Sequence, residues 1–556
     1  MPHLTRYVLT AAIAFAPLPV AAQAVARPDA AVPGDVTAGI DALLDAGWPA
    51  DQPGATVIVT RGGRTLYAGA RGLADVGAKT PLTPDSVIRI GSITKQFTAA
   101  VILQLVEEGR LRLDDPLSKF LPGYPAPGGA ATVRQLLNHT SGIRSYTGIP
   151  GWMVAANTGQ PHTTDQVVAV FRDLPPEFPA GTKWNYNNSG YVLLGAIIER
   201  VTGKPWYDAI ATRITGPLGL RTIRYGGATP GADWARPYTV GAQPAQAIDM
   251  SVPQAAGGLV GSVRDLAAWA QALHHGKVVK SASYAQMIAP TILADGTRNP
   301  YGFGLSNGSV RGLATIEHSG GIFGGNTDSL YLPAQDIFVA VFANSDSPAA
   351  SPGVTARRIA AIAAGTPFPV FVVQPVDLAA VTPLLGVYAV EGLDKVERRF
   401  FARDGRLFVK RGSQPEREVF PVGDNRFSFG PRALEWFRIR SDGAAPVMEM
   451  HQRGEDGFDR AVRTGPVPAD AAAIVVPRAT LERYVGVYAL PIGRFTIAWG
   501  AGDTLTAQLA GQPALPIEAV SATEFRTVGV DARVELDGTT ATIVQGGQRI
   551  AGKRAD

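Results

Sequence analysis

Residues 89–97 read Arg-Ile-Gly-Ser-Ile-Thr-Lys-Gln-Phe, and they place Ser92 three positions before Lys95 near the start of a predicted helix. Positions three apart lie on the same face of a helix, so the Ser92 hydroxyl and the Lys95 amine can approach each other. A serine hydroxyl becomes nucleophilic when a neighbouring group takes its proton, which a lysine with a lowered pKa can do. The free N–H groups of a helix N-terminus also suit a developing oxyanion. The stretch therefore predicts a serine nucleophile with its own base.

Two later segments extend this pattern. Tyr186 and Asn188 form a Tyr-x-Asn just before a predicted helix that Ser189 could cap. His318 begins a His-x-Gly between two predicted strands. Taken singly, these residues have ordinary explanations: a half-buried turn aromatic, a polar strand end and common turn glycines. Their order and spacing after Ser92 make them informative together.

Together these segments resemble the serine β-lactamase and penicillin-binding-protein superfamily. The resemblance is closest to its class C-like branch, which also holds D-aminopeptidases, DD-peptidases and carboxylesterases. Three spacer segments support it: Gly-Arg-Leu-Arg-Leu-Asp-Asp-Pro at 109–116, Leu-Leu-Asn-His-Thr-Ser-Gly-Ile at 136–143 and Gly-Gly-Leu-Val at 257–260. The resemblance covers residues 35–365.

The resemblance implies that Ser92 attacks a carbonyl carbon and forms an acyl-enzyme. Either Lys95 or Tyr186 would take the serine proton, and the sequence leaves this choice open. A phenol with a pKa near ~10 needs a neighbouring cation to act as a base at neutral pH. The resemblance also implies that Asn188 positions the Lys95 amine and the substrate amide, and that the oxyanion lies between the backbone N–H groups of Ser92 and Gly321. The predicted site comprises Ser92, Lys95, Tyr186 and His318 for catalysis, with Asn188, Gly320 and Gly321 for binding substrate and oxyanion.

One departure from the family pattern concerns His318. The better-known β-lactamases carry lysine at this place, whereas histidine is mostly neutral near pH 7. This puts β-lactam hydrolysis and recognition of a C-terminal carboxylate in doubt, and the His-x-Gly form occurs in D-aminopeptidases and esterases of the branch. We therefore expect a peptidase or amidase acting on short peptides. A carboxylesterase is the alternative, ahead of a non-catalytic peptide-binding protein or a true β-lactamase.

The predicted fold of the first part is α+β, with one antiparallel sheet packed against helices. A β-branched hairpin at 54–69 opens it, helical patterns dominate from Ser92 to about 275, and strands return at 314–318, 327–332 and 337–344. After a linker-like segment and an alanine-rich helix, Gly-Val-Tyr-Ala at 386–389 recurs at 486–489. Each copy leads into short alternating strands, which predicts two small antiparallel β-barrels.

The predicted boundaries are a signal peptide at 1–24, a β-lactamase-like domain at 35–368 and barrels at 375–463 and 478–556. Three-domain D-aminopeptidases of the superfamily also carry two lipocalin-like barrels after the catalytic domain. In that branch a loop from the last domain reaches the catalytic cleft, although no such loop can be located in this sequence.

Composition excludes several classes of function. Lysine and arginine number 51 against 47 aspartates and glutamates, without a basic run, so a nucleic-acid partner is not expected. Cysteine is absent, which excludes disulfides, a thiol nucleophile and cysteine-ligated zinc. The seven histidines are scattered, and we expect no metal or other cofactor. The expected partner is a small peptide, amide or ester substrate; the sequence does not indicate an oligomeric state.

The first residues resemble a secretory signal. Arg6 precedes an apolar stretch at 7–20, and Ala-Gln-Ala at 22–24 fits small-x-small cleavage. Pro17 and Pro19 interrupt the stretch, which is too short to be a stable membrane span. We expect cleavage near Ala24 and a periplasmic or secreted protein.

A second serine matches a different motif. Residues 304–308 read Gly-Leu-Ser-Asn-Gly, like the Gly-x-Ser-x-Gly elbow of α/β-hydrolases. That elbow functions only on a sharp strand-to-helix turn. The residues after Ser306 are not helical and soon enter another strand, so we interpret 301–305 as a strand ending in a turn and leave Ser306 out of the predicted catalytic set.

Overall fold

The computed structural model describes residues 34–227, 231–393, 396–412, 414–441, 443–452, 457–468, 473–510, 512–528, 530, 532–545 and 548–555. The predicted signal peptide at 1–24 lies outside these residues. Within them, an α+β domain precedes two closed antiparallel barrels, as predicted from the sequence. None of the described helices has the length and apolar character that a membrane span requires.

A six-stranded antiparallel sheet forms the centre of the first domain. Its strands, in chain order, are β1 (Ala55–Arg61), β2 (Arg64–Arg71), β3 (Ser306–Val310), β4 (Leu313–Ile322), β5 (Gly325–Leu332) and β6 (Ile337–Ala343). The spatial order is β3-β4-β5-β6-β1-β2, so the early hairpin joins the late strands through β1 and β6. Strands β1 and β6, which pair within the sheet, consist of apolar and β-branched residues apart from Arg61 at the end of β1, because helices cover both faces of the sheet.

Helices cover the two faces of this sheet. On one face lie α1 (Gly34–Gly47) and a late helix at Pro352–Ala363, which pack on Val57, Val59 and Val341. The other face carries the helical middle of the chain, and its core includes Ile58, Ala340 and Phe342. The longer helices of that middle part are α2 (Thr94–Glu107), α3 (Asn188–Thr202) and α4 (Val263–His274); we call the late helix α5. Shorter helices lie at Val133–Leu137, Ala155–Thr158, Thr164–Ala169, Trp206–Ile210, Gln254–Gly257 and Ser281–Ile288.

The structure corrects the strand expected at 301–305. The chain turns there, with the Gly302 N–H donating to the Leu305 carbonyl at 2.8 Å, and β3 begins at Ser306. Tyr301 keeps only an isolated bridge to Ser306. Ser306 therefore opens a strand and does not occupy a strand-to-helix elbow, which agrees with its exclusion from the predicted catalytic set.

Eight strands close each barrel. The first barrel contains Gly386–Val390, Glu397–Arg403, Arg406–Arg411, Arg417–Pro421, Arg426–Ser428, Trp436–Arg440, Val447–His451 and Asp459–Gly465. The second barrel contains Gly486–Leu490, Gly493–Trp499, Leu505–Leu509, Leu515–Ala519, Glu524–Thr527, Arg533–Leu536, Thr540–Gln545 and Gln548–Arg554. The sequence repeat occupies equivalent places: the Tyr388 hydroxyl donates to the Leu384 carbonyl, and the Tyr488 hydroxyl donates to the Tyr484 carbonyl.

The first barrel docks on the face of the sheet that carries α1 and α5. Leu434 of the barrel is 4% exposed and belongs to the same core as Ile40 and Ile359. The Arg358 guanidinium of α5 donates to the carbonyls of Arg432 and Ala433, at 2.9 and 3.1 Å. This contact lies across the sheet from the helical middle of the domain.

Candidate active site

Ser92 lies in a 3₁₀ turn, Gly91–Ile93, that leads directly into α2. Lys95 occupies the first turn of that helix and is fully buried, with 0% exposure. The three-residue spacing brings the two side chains together as the sequence predicts, with 3.0 Å between Ser92 Oγ and Lys95 Nζ.

The Lys95 amine has two further contacts, to oxygen atoms that only accept hydrogen bonds. Its Nζ lies 2.8 Å from Asn188 Oδ1 and 2.8 Å from the Ala256 carbonyl oxygen. A neutral amine has two N–H donors and one lone pair. An uncharged amine that donates to Asn188 and Ala256 directs its lone pair to the Ser92 hydroxyl, whereas an ammonium donates to all three oxygens. The uncharged arrangement is the one a general base requires.

Burial shifts the pKa values of the two candidate bases, Lys95 and Tyr186, in opposite directions. It lowers the pKa of Lys95 well below its ordinary value, because the charged ammonium is desolvated. Burial raises the pKa of Tyr186 above its ordinary range, and a hydrogen bond with the Ser92 side chain opposes this only in part. The Lys95 Nζ lies 4.8 Å from the centre of the Tyr186 ring. Burial thus favours the uncharged form of both the Lys95 amine and the Tyr186 phenol.

Asn188 is oriented at both ends of its amide. Its Oδ1 accepts from Lys95, and its Nδ2 donates to Thr147 Oγ1 at 3.2 Å. The structure corrects the cap of α3: Asn187 is the N-cap, with its Oδ1 accepting from the Gly190 N–H at 2.9 Å. Ser189 is the second residue of the helix, and its hydroxyl accepts from the Tyr146 N–H at 2.8 Å.

His318 lies within β4, not between two strands as expected, and it is 7% exposed. Its Nδ1 lies 2.6 Å from the Ser319 carbonyl oxygen, so we assign the ring proton to Nδ1. Its Nε2 then accepts from the Tyr301 hydroxyl at 2.9 Å, since burial raises the pKa of that phenol and keeps it protonated. Burial, with a smaller contribution from the Lys95 charge, lowers the pKa of His318 to about 3. Both ring nitrogens are occupied and the ring is neutral.

The two predicted glycines have different surroundings. Gly321 lines the cleft, and a Cβ added there would meet no atom within 4 Å. Gly320 is buried and does not line the cleft: a Cβ there would lie 2.1 Å from the Ile90 carbonyl oxygen. Alternate residues of a strand point to opposite sides, which separates the two positions. Gly320 therefore allows β4 to approach the Ser92 turn, and Gly321 alone of the pair borders the substrate space.

His139 is a site residue that the sequence did not identify as functional. It is 1% exposed, and its Nδ1 accepts from the Asn187 N–H at 3.1 Å. Its ring centre lies 4.4 Å from that of Tyr186 and 4.6 Å from that of Tyr301. His139 thus supports both the ring of Tyr186 and the backbone of the Tyr-x-Asn segment. The spacer at 136–143, noted only as part of the resemblance, was the available signal.

Ser92 and Gly321 divide the cleft into two halves. The smaller half has a volume of about 340 Å³ and is lined by Ser92, Tyr186, Tyr301, Ser306, Glu317, His318, Ser319, Gly321 and Asp328. The larger half, about 620 Å³, is lined by Asn188 and by an apolar wall: Tyr146, Met153, Ile248, Pro253, Ile322 and Phe323. The lining residues, all between 91 and 346, include no described residue of either barrel.

The edge of β4 borders this cleft. Strand β3 pairs with Leu313–Glu317 only, so His318–Ile322 has no strand partner on that side among the described residues. An extended chain could add to such an edge by backbone hydrogen bonds. No cluster of three metal-ligating side chains occurs within the described part of the chain.

Comparison with known proteins gives one family match. A family model described as Beta-lactamase matches residues 40–364. Penicillin-binding protein 4* of Bacillus subtilis (strain 168) is 27% identical over 436 residues, which are 74% of this chain and 94% of that protein.

Two further proteins are similar to about half of this chain. A D-aminopeptidase of Brucella canis is 32% identical over 277 residues, 49% of this chain and 52% of that protein. The match thus spans about half the length of that relative. Among solved structures, a D-amino acid amidase from Ochrobactrum anthropi SV3 complexed with L-phenylalanine amide has a TM-score of 0.50 and 27% identity. It covers 56% of this chain and 91% of the amidase.

Proposed function

The chain belongs to the β-lactamase family, and from this premise we propose that it is a serine hydrolase that cleaves short peptides or amides through an acyl-enzyme. The observation that carries the proposal is the environment of the Lys95 amine. Its Nζ lies 2.8 Å from Asn188 Oδ1 and from the Ala256 carbonyl oxygen and 3.0 Å from Ser92 Oγ, so the uncharged amine that donates to the first two directs its lone pair to Ser92. Ser92 is thereby the nucleophile and Lys95 the base in its activation.

The first half-reaction follows from this geometry. Lys95 takes the Ser92 proton as Oγ adds to the substrate carbonyl carbon. The backbone N–H groups of Ser92 and Gly321 are the proposed oxyanion donors, and loss of one such donor typically costs roughly 3–4 kcal/mol of barrier. Tyr186, kept as a phenol by its raised pKa, donates its proton to the leaving nitrogen as the C–N bond breaks.

The second half-reaction returns the site to its resting state. The proton held by Lys95 restores the Tyr186 phenol. A water molecule then adds to the ester carbonyl, giving up a proton to Lys95, and Ser92 leaves with a proton restored to its oxygen. Proton donation to the leaving group matters more for an amine than for an alkoxide, so a protonated Tyr186 supports amide cleavage.

The charge of the cleft supports a substrate whose binding does not depend on a carboxylate group. Neither half of the cleft has a lysine or arginine side chain among the described residues that line it. His318, at the place where relatives of the β-lactamase type carry lysine, is neutral and has both ring nitrogens occupied. A β-lactam or C-terminal carboxylate would therefore lack a cationic partner here. The D-aminopeptidase and D-amino acid amidase among the similar proteins support the same substrate class.

The test is release of p-nitroaniline from D-alanine p-nitroanilide by the purified protein, with Ser92→Ala as the control. We expect cleavage by the parent protein and no turnover by Ser92→Ala, which should fold normally because the change removes one small hydroxyl. Residual activity above a few per cent would remove Ser92 as the nucleophile. No amide cleavage by protein that still hydrolyses p-nitrophenyl butyrate would favour a carboxylesterase or a peptidase that needs a longer chain.

We also propose that the protein acts in the periplasm or outside the cell, on the basis of its signal-like first 24 residues. N-terminal sequencing of protein recovered from the periplasm should begin near Val25.

A further inference from the structure

The chain segment just before the proposed nucleophile carries an arginine without an acidic partner. Arg89 lies three residues before Ser92 and ends a short strand, Ile88–Arg89, that pairs with Leu259–Gly261. Its Nη1 donates to the Phe323 carbonyl oxygen at 2.7 Å. Its Nε is buried without a hydrogen-bond partner, and no carboxylate of the described chain forms an ion pair with it. The bond to Phe323 is therefore the one hydrogen bond that the described residues give this guanidinium.

A buried guanidinium without a carboxylate partner is unfavourable for stability. Desolvation lowers the pKa of Arg89, and no neighbouring acid opposes that shift. Arg89 borders a cavity of about 790 Å³, and Arg236 on the wall of the same cavity is by contrast paired with Asp75. An apolar side chain would avoid the desolvation of a charge, so the hydrogen bond to Phe323 is what an arginine adds at this position.

Phe323 belongs to the two-residue turn that joins β4 to β5. It follows Gly321, the proposed second oxyanion donor, by two residues. A Cβ added to Gly325 would lie 2.8 Å from the Arg89 carbonyl oxygen, so the end of this turn is also in close backbone contact with Arg89. One side chain thus connects the segment that leads to Ser92 with the turn beside Gly321.

Among the described residues, two side-chain hydrogen bonds attach the end of β4 and its turn to the segment before the nucleophile. Residues His318–Ile322 pair with β5 and have no strand on their other side within the described chain. Thr327 of β5, which lies opposite Gly320, donates from Oγ1 to the Ile90 carbonyl oxygen at 3.1 Å. That bond holds the sheet at the level of Gly320, and the Arg89 bond holds the turn beyond it. The proposed oxyanion donor of β4 lies between these two attachments.

Arg89 is placed to act through the backbone and not by touching substrate. It lines neither half of the cleft, whereas the Phe323 side chain lines the larger half. An effect of the guanidinium on the reaction therefore has to pass through the turn that it holds.

We propose that Arg89 is a positioning residue, which sets the distance between the two oxyanion donors by holding the Phe323 carbonyl. This inference rests on the proposed function, which assigns the donors to the N–H groups of Ser92 and Gly321. Such donors stabilise the charge that develops in the transition state, and a displacement of about 1 Å at a catalytic group can lower a rate about 10²-fold. The uncharged substrate depends on these donors less, so the loss should fall on kcat and not on KM.

The experiment compares the parent protein with Arg89→Met, which keeps an apolar stem and removes every donor, below the melting temperature of each. The matched control is Arg358→Met. Arg358 is also a buried arginine that donates to backbone carbonyls, those of Arg432 and Ala433, and it has no ion pair within the described chain. Both variants lose a buried guanidinium, and only Arg89→Met loses a contact beside the proposed oxyanion site.

The substrate is p-nitrophenyl butyrate, because esters and amides place the developing oxyanion at the same point. Phenylboronic acid forms a tetrahedral adduct with a serine and reports on the same point without turnover. We expect Arg89→Met to lower kcat about tenfold or more, to leave KM within about twofold, and to weaken phenylboronic acid by a factor similar to that in kcat. Arg358→Met should lower the melting temperature and leave kcat, KM and this inhibition unchanged.

A parent-like kcat in Arg89→Met overturns the inference, as does a loss that appears only in KM or one that Arg358→Met shares. Ser92-dependent turnover by the parent would in each of these cases leave the proposed function standing. If the parent shows no Ser92-dependent hydrolysis of either p-nitrophenyl butyrate or D-alanine p-nitroanilide, the proposed function itself fails.

A second variant separates the guanidinium group from the space that its side chain fills. Arg89→Ala opens room beside the cavity that Arg89 lines, where added ethylguanidinium can take the place of the missing group. We expect ethylguanidinium to raise kcat of Arg89→Ala several-fold and to leave the parent and Arg358→Ala unchanged. A depressed kcat that ethylguanidinium does not raise would assign the loss to packing and would overturn the inference.

Discussion

At the scale of single residues, the proposed chemistry depends on an uncharged Lys95. Its direct partners are an amide oxygen, a backbone carbonyl and a hydroxyl, and none carries a formal negative charge. Desolvation therefore meets no compensating carboxylate, and the pKa of Lys95 falls. The same burial raises the pKa of Tyr186. One environment thus favours a base and an acid side by side, which supports Lys95 as the proposed base in the choice that the sequence left open.

The pH dependence of kcat/KM follows from these directions. As pH falls through the lowered pKa of Lys95, the amine takes a proton and loses its lone pair, so kcat/KM should fall about tenfold per pH unit. Tyr186 should cause no loss below about pH 10, because its pKa is raised above that ordinary value. The acid limb should persist in His318→Asn, since the pKa of His318 is about 3. Profiles of kcat/KM against pH for the parent and for His318→Asn check this. Loss of the fall at low pH in His318→Asn would assign that fall to the histidine.

At the scale of elements, the site depends on β4 lying directly against the turn before α2. Gly91 and Gly320 make this approach possible: a Cβ on Gly91 would lie 3.0 Å from the Gly321 nitrogen, and one on Gly320 would lie 2.1 Å from the Ile90 oxygen. The two proposed oxyanion donors belong to these two elements. Their spacing is therefore set by backbone packing between a strand and a turn that are far apart in sequence.

Substitutions at Gly320 and Gly321 should distinguish a glycine needed for packing of β4 from one that borders the substrate. Gly320→Ala forces β4 away from Ile90, so we expect a loss of stability of about 1–3 kcal/mol and a large fall in kcat. Gly321→Ala meets open space and should leave the melting temperature unchanged. Thermal unfolding and steady-state kinetics of both variants check this. Equal melting temperatures for the two would show that β4 and the Ser92 turn are not tightly packed.

At the scale of the whole molecule, the first barrel is attached to the side of the sheet away from the cleft. Its contact uses Leu434, Arg358 and backbone carbonyls at 432–433, against α1 and α5. The described residues of the second barrel contribute nothing to the cleft lining. The resemblance to D-aminopeptidases implied a loop from the last domain at the site, and the described part of this chain shows no such loop.

Removal of the barrels should therefore lower the stability of the protein and leave its substrate preference unchanged. We expect a chain ending at residue 468 to keep the parent kcat/KM for small anilides. A chain ending at 368 should also keep its substrate preference but unfold at lower temperature, because it loses Leu434, whose full burial contributes about 1.5–3 kcal/mol. Melting curves and a panel of anilides check both. A changed substrate preference in the chain ending at 468 would place the second barrel at the cleft.

The sequence by itself determined the features that depend on local spacing. The approach of Ser92 to Lys95 follows from the helix period, the first hairpin and the late strands from alternating β-branched residues, and the two equivalent barrels from the repeat at 386 and 486. The family resemblance added the Tyr-x-Asn and His-x-Gly segments, which the structure brings to the same cleft.

Only the tertiary structure decided the protonation and the surroundings of these groups. The Ala256 carbonyl, His139 and Tyr301 come from segments distant in sequence, and no local pattern indicates which atoms they contact. The neutral state of His318 and the different surroundings of Gly320 and Gly321 likewise depend on what packs against β4. The physical reason is that a pKa depends on burial and on neighbouring groups, and both exist only once the chain has folded.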